Sequence, residues 1–198
     1  FPDVLEYTSG VALSHNNLGD LLQASKQPKK AIAAFRRAQE ICEQLVTDHP
    51  DIPSFANQLA GLHRMIAGVL DDSGQPADSA AEFSRAITIA TQLAKKYPDI
   101  PDYAKSLASA LNDKGVLLSN TNQRPAAVAE YDRARKVLEQ LTKDHPDSPD
   151  YASSLANQYD NLGSTHRKMG QLGEAAEALN QAITIGRRLV DEYPESPS

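Results

Sequence analysis

Pro146-Asp147-Ser148-Pro149-Asp150-Tyr151 decides how this chain is read, because the stretch has relatives. Copies stand at Pro98-Asp99-Ile100-Pro101-Asp102-Tyr103 and at Pro50-Asp51-Ile52-Pro53-Ser54-Phe55, and a weaker one at Pro2-Asp3-Val4-Leu5-Glu6-Tyr7. A fifth begins at Pro194. The leading prolines are 48 residues apart each time, with no insertion or deletion between them. A fixed period of this size marks a repeat array, whose units are too small to bury their own apolar faces and must stack. The register divides residues 1–198 into a single array of repeats 1–49, 50–97, 98–145 and 146–193, with 194–198 opening a truncated next repeat.

Each repeat reads as two helices. In the third, Tyr103, Leu107, Leu111, Gly115 and Leu118 recur at steps of three and four, which places them on one helical stripe. Pro98, Asp99 and Pro101 supply the start signals, an acidic capping residue and a first-turn proline. A second helix is predicted from about Pro125 to Asp144, with Ala127, Tyr131, Ala134, Leu138 and Leu141 on its apolar side. His145-Pro146 ends it, since the residue before proline is pushed out of the α region. The first repeat offers Tyr7, Val11, Leu18, Gly19 and Leu22 for the same stripe. The turns inside the hairpins carry Gly74, Asn122 and Gly170, which suit a left-handed C-terminal cap. Lys26 stands in that place in the first repeat and departs from the pattern. Two slots hold small residues throughout, Ala38/Ala86/Ala134/Ala182 and Gly19/Ala67/Gly115/Gly163, so the paired helices are expected to approach closely.

Composition narrows the function. The formal net charge is −6, which opposes a nucleic-acid or anionic-membrane surface, and no apolar run is long enough to cross a bilayer. The lone Cys42 excludes an intramolecular disulfide and a cysteine-rich metal site. A cytoplasmic setting is expected, and the in-phase ends have the look of a piece of something longer. No phosphate loop, Cys-x-x-Cys, His-Glu-x-x-His or nucleophile elbow occurs, so no catalytic residue, metal ligand or cofactor is assigned and no enzyme activity is expected. His49 and His145 share a slot with Tyr97 and Tyr193, and His15 and His63 share one with Leu111 and Tyr159. Slots that accept such different side chains read as packing positions rather than ligands. His166 replaces Leu22, Leu70 and Leu118, and Cys42 replaces Ala90, Leu138 and Gly186.

Leu162-Gly163, with Tyr159 before it and Ala175, Leu179 and Ala182 after it, resembles the tetratricopeptide repeat. His15, Leu18, Gly19, Leu22, Ala31, Phe35 and Ala38 match in the first repeat, and Leu111, Gly115, Leu118, Ala127, Tyr131 and Ala134 in the third. The second is looser, with Ala67 at the glycine slot and Ser79 at an alanine slot, and the third has Lys114 where the others have Leu18, Ile66 and Leu162. The period is longer than is usual in that family, and resembles kinesin light chain-like arrays and the arrays of some bacterial signalling proteins. The resemblance implies an all-α fold, an α-solenoid of four helix-turn-helix repeats wound as a right-handed superhelix.

It also implies a protein–protein interaction scaffold whose first helices line a concave groove for a peptide or partner protein. The candidate groove residues are Asn16, Asn17 and Asp20; Arg64, Met65 and Asp71; Asn112, Asp113 and Val116; and Asp160, Asn161 and Arg167. Amides there would bond a peptide backbone. The prevailing Asn and Asp do not match a carboxylate clamp, in which Arg64 and Arg167 would need further cations, and a neutral or basic partner segment is favoured. The alternative is a structural spacer, or a module self-associating through its terminal repeats, within a larger signalling protein such as one containing a kinase.

Overall fold

The computed structural model describes residues 2–193, so the opening of a next repeat at 194–198 lies outside the described residues. Eight helices run in order among them: α1 (Pro2–Ala24), α2 (Pro28–Asp48), α3 (Pro53–Asp72), α4 (Pro76–Lys96), α5 (Pro101–Asn120), α6 (Arg124–Asp144), α7 (Pro149–Lys168) and α8 (Leu172–Glu192). The described residues contain no strand, and the fold is all-α, built from consecutively packed helix hairpins. Two compact units are distinguished, one reaching to Ser106 and one starting at Leu107. In the first, α1 packs on α2, α2 on α3 and α3 on α4; in the second, α6 packs on α7 and α7 on α8.

The proline stretch works differently from the sequence expectation. Asp51 and Asp147 do not cap the helices; the N-caps of α3 and α7 are Ile52 and Ser148, neither with a side-chain capping bond. The first proline and the aspartate instead form a tight turn. Ile52 N–H donates to His49 O at 3.0 Å, Ile100 to Tyr97 at 3.1 Å and Ser148 to His145 at 3.1 Å. Proline presets the second turn position and aspartate suits the third, while the second proline (Pro53, Pro101, Pro149) opens the next helix, where its missing N–H is no loss. The aromatic before each turn packs on the next first helix: His49 on Phe55, Tyr97 on Tyr103 and His145 on Tyr151, at ring separations of 6.3, 5.9 and 5.7 Å. His49 and His145 are thus packing side chains, as their slot implies.

The four hairpin turns share one geometry. Lys26, Gly74, Asn122 and Gly170 have φ of 55, 72, 64 and 76°. The following glutamine N–H reaches back to Leu22, Leu70, Leu118 and His166 O at 2.8–3.0 Å, closing the helix end with a Schellman motif. Lys26 therefore departs in residue type and not in shape. It holds a left-handed conformation that costs an L-residue with a Cβ roughly 1 kcal/mol.

Close approach of paired helices explains the small slots. A Cβ on Gly115 would lie 2.5 Å from Tyr131 Cε1, and one on Gly163 2.7 Å from Leu179 Cγ. Ala38, Ala86 and Ala134 are fully buried. The core of the first unit gathers Phe35, Ala38, Leu59, Leu62, Ile66 and Val69. That of the second gathers Leu118, Ala127, Tyr131, Leu162 and Ala178, with Val116 and Tyr159 packed against it.

One stripe is corrected. Tyr7, Val11 and Leu18 are 71, 49 and 44% exposed, although Phe55, Leu59 and Ile66 at the same repeat positions are buried. In α3 that face lies against α2, whereas among the described residues no helix stands before α1 to cover it.

Candidate functional site

The predicted groove residues fall into two groups, one in each unit. On α1, Asn16 is half-buried while Asn17 and Asp20 are exposed, and Asn16 Nδ2 points to Asp20 Oδ2 at 3.5 Å. On α3, Arg64, Met65 and Asp71 are half-buried. Burial, followed by the charge of Asp72, raises the Asp71 carboxyl above its ordinary pKa. On α5, Asn112, Asp113 and Val116 are half-buried. On α7, Asn161 is half-buried while Asp160 and Arg167 stand exposed.

The structure brings some of these together. In the second unit Asn161 Nδ2 donates to Asn112 Oδ1 at 2.8 Å, joining α5 to α7, and Asn112 Nδ2 donates to Asp113 Oδ1 at 3.2 Å. In the first unit Asn16 and Met65 line one cleft between α1 and α3. Its volume is about 230 Å³, and its walls are Leu13, Leu62 and Met65. Cys42 of α2 forms the floor, 1% exposed, with Sγ directed at Gln58 Oε1 3.9 Å away. Burial, then the Glu43 charge, pushes the Cys42 thiol up to about 11, so it is an inert packed group at neutral pH.

Several polar contacts were not visible in the repeat pattern. Glu82, whose side chain is 3% exposed, joins three helices of the first unit: Arg36 of α2 at 2.5 Å, His63 Nδ1 of α3 at 2.6 Å and Arg85 of α4 at 2.9 Å. Burial alone would raise the Glu82 carboxyl, but hydrogen bonds from His63 and Arg36 and their charges outweigh it and hold the group below its ordinary value. His63 is therefore buried as its slot predicts, yet it is a hydrogen-bond partner of Glu82 rather than an apolar stand-in. The signal was present: Glu82 and Glu130 occupy a slot that holds Ala34 and Ala178 in the outer repeats. Glu130 meets Lys114 at 3.1 Å, which accounts for a lysine at a leucine slot. Tyr159 O–H donates to Glu139 Oε1 at 2.7 Å, and Glu139 also accepts from Arg135. His166 is half-buried with Nδ1 2.8 Å from Gln171 Oε1.

No group of three or more His, Cys, Asp or Glu side chains among the described residues converges as a metal site would. No helix among them is long and apolar enough to cross a membrane.

Comparison with known proteins agrees with this architecture. The tetratricopeptide repeat family model matches residues 11–51, 107–150 and 155–198, more than half of the chain. The chain belongs to the tetratricopeptide repeat family. Comparison with the curated proteins finds no match. Among solved structures the chain is similar to BtubC (BKLC) from P. vanneervenii, with a TM-score of 0.71 and 17% identity over 94% of this chain and 67% of that one. It is also similar to aspartyl phosphate phosphatase F from Bacillus subtilis, with a TM-score of 0.73 and 18% identity over 92% of this chain and 42% of that one. A third similar structure is the DHF58 filament, with a TM-score of 0.56 and 14% identity. The chain thus spans about two thirds of the first and less than half of the second. At these identities the likeness is one of fold. Tetratricopeptide repeats are protein–protein interaction scaffolds, generally non-enzymatic, and this chain is such a scaffold for protein or peptide partners.

Proposed function

We propose that the first helices of the hairpins hold an extended segment of a partner protein. The observation that carries this is the half-buried amides on adjacent first helices: Asn16, beside Met65 in one cleft of the first unit, and Asn112 and Asn161 in the second. Half-buried amides keep hydrogen-bonding capacity for a peptide backbone without the cost of burying a charge. Asn17, Asp20, Arg64 and Asp71 flank the first group, and Asp113, Val116, Asp160 and Arg167 the second. The four aspartates against two arginines favour a neutral or basic segment. An array of short peptides graded in net charge tests this. Retention of basic and neutral peptides is expected, weakened by changing Asp20, Asp71, Asp113 and Asp160 to Asn. Retention of none, or of acidic peptides only, contradicts it.

A second function is favoured by the outer helices. Tyr7, Val11, Leu18 and Leu21 of α1 and Ile183 and Val190 of α8 are 44–71% exposed. Large apolar side chains on one face of a helix fit self-association through the outer repeats. Light scattering over a concentration series would show association abolished by Leu21→Glu with Ile183→Glu; a concentration-independent monomer removes this second function and leaves the first intact.

A further inference from the structure

The two units carry the same slots with opposite contents. In the second unit the position of Cys42 is filled by Leu138, which is 4% exposed; Gly61 is replaced by Asn157 and Met65 by Asn161. Asn161 closes onto Asn112 at 2.8 Å across the gap between α5 and α7. In the first unit the floor residue is small, Met65 cannot make that amide bond to Asn16, and Gly61 presents no side chain. An added Cβ on Gly61 would meet nothing within 4 Å. The cleft between α1 and α3 is open for these three reasons.

We infer that this cleft is the anchor pocket for one leucine- or methionine-sized side chain of a bound peptide, with a basic residue beside it in the peptide. The inference rests on the peptide reading above and names where its specificity lies. Size selects the occupant. About 230 Å³ is below the range of roughly 300–1,000 Å³ typical of small-molecule and cofactor sites, and suits a single aliphatic side chain. The lining selects its chemistry. Leu13, Leu62 and Met65 are apolar walls, and methionine adapts its shape to the guest. The rim selects the form. Asn16 and Gln58 stand on opposite helices, where their amides can bond the backbone on either side of an inserted side chain. Asp20, one turn along α1 and 3.5 Å from the Asn16 amide, supplies the negative charge that a neighbouring basic residue would meet.

The probe is a phage-displayed library of random short peptides, selected on the full chain and then measured on variants. Gly61→Met fills the cleft from within. It replaces a helix-interior glycine by a better helix former in open space, so the variant is expected to be at least as stable as the parent, and loss of binding cannot be ascribed to unfolding. Peptides enriched in one Leu or Met next to Lys or Arg are expected, with affinity falling about tenfold or more on Gly61→Met, as when one buried aliphatic side chain is denied its slot. A smaller loss of affinity on Asn161→Ala than on Gly61→Met would place the anchor in the first unit. Selected peptides that bind Gly61→Met as well as the parent overturn the pocket while leaving peptide binding standing. Peptides without an apolar position do the same. Failure to select any peptide overturns both.

Discussion

The first and second units are built on one register and solve the same packing problem with different chemistry. Where α1 and α3 face each other there is an apolar cleft over a small buried thiol; where α5 and α7 face each other there is an amide bridge over a leucine. Their ionic ties differ likewise. One carboxylate, Glu82, gathers His63, Arg36 and Arg85 from three helices at 3% exposure, while Glu130, at 13%, meets Lys114 and Arg133. The repeat backbone is thus a constant frame, and single-residue exchanges within it decide which surfaces are closed and which stay available to a partner.

The largest test of that contrast removes the tie in the first unit. Glu82→Gln leaves His63 and Arg36 without their charged partner. It should cost about 2–4 kcal/mol, somewhat under the usual loss for a broken buried pair because Arg36 can turn to water. Hydrogen exchange resolved by segment should show α2–α4 losing protection before α6–α8. Acid should act the same way. The Glu82 carboxyl is held below its ordinary value, so its contribution is fully present above the ordinary carboxylate range and is lost as pH falls through its lower folded value. Glu82→Gln should flatten the acid limb of a stability–pH curve, and an unchanged limb would mean that other carboxylates govern it.

A smaller effect of opposite sign is expected in the second unit. Gln158 is 1% exposed, its Nε2 has no hydrogen-bond partner, and Leu62 occupies the same slot in the first unit. Gln158→Leu should stabilise by about 1–2 kcal/mol in a denaturant midpoint at unchanged slope, because a buried unsatisfied amide is exchanged for an apolar group. Smaller again is Lys26→Gly, which makes the first hairpin turn resemble those at Gly74 and Gly170 and should gain about 0.5–1 kcal/mol from relief of its left-handed φ. A loss of stability there would show that the Lys26 side chain outweighs the strain.

Much of the fold was legible because proline, glycine and alanine report backbone constraints directly. Pro53, Pro101 and Pro149 open their helices as read, and the Ala134 and Gly115 slots mark close approach. The repeat logic misled where an average position hid a neighbour. Asp51 belongs to a turn rather than a cap, because the β-turn and the second proline claim the backbone groups it would have capped. Leu18 sits on a core stripe in pattern only, since no described helix takes the place that α2 takes beside α3. The candidate groove residues lie on α1, α3, α5 and α7, but the repeat pattern did not sort them into an open cleft and a closed bridge. That distinction depends on Cys42 and Leu138, which lie on second helices and join the site only through tertiary packing. Glu82 was a missed clue, a charge at an alanine slot, and two of its partners, Arg36 and His63, come from other helices that no local spacing links to it.

The central claim, that the open cleft is where a partner's side chain enters, has a natural reporter pair. The chain contains two methionines, Met65 in the α1–α3 cleft and Met169 at the end of α7. With both methyl groups carbon-13 labelled, titration with a selected peptide should shift the Met65 signal saturably and leave Met169 in place. A shift at Met169 with Met65 unmoved would contradict the account.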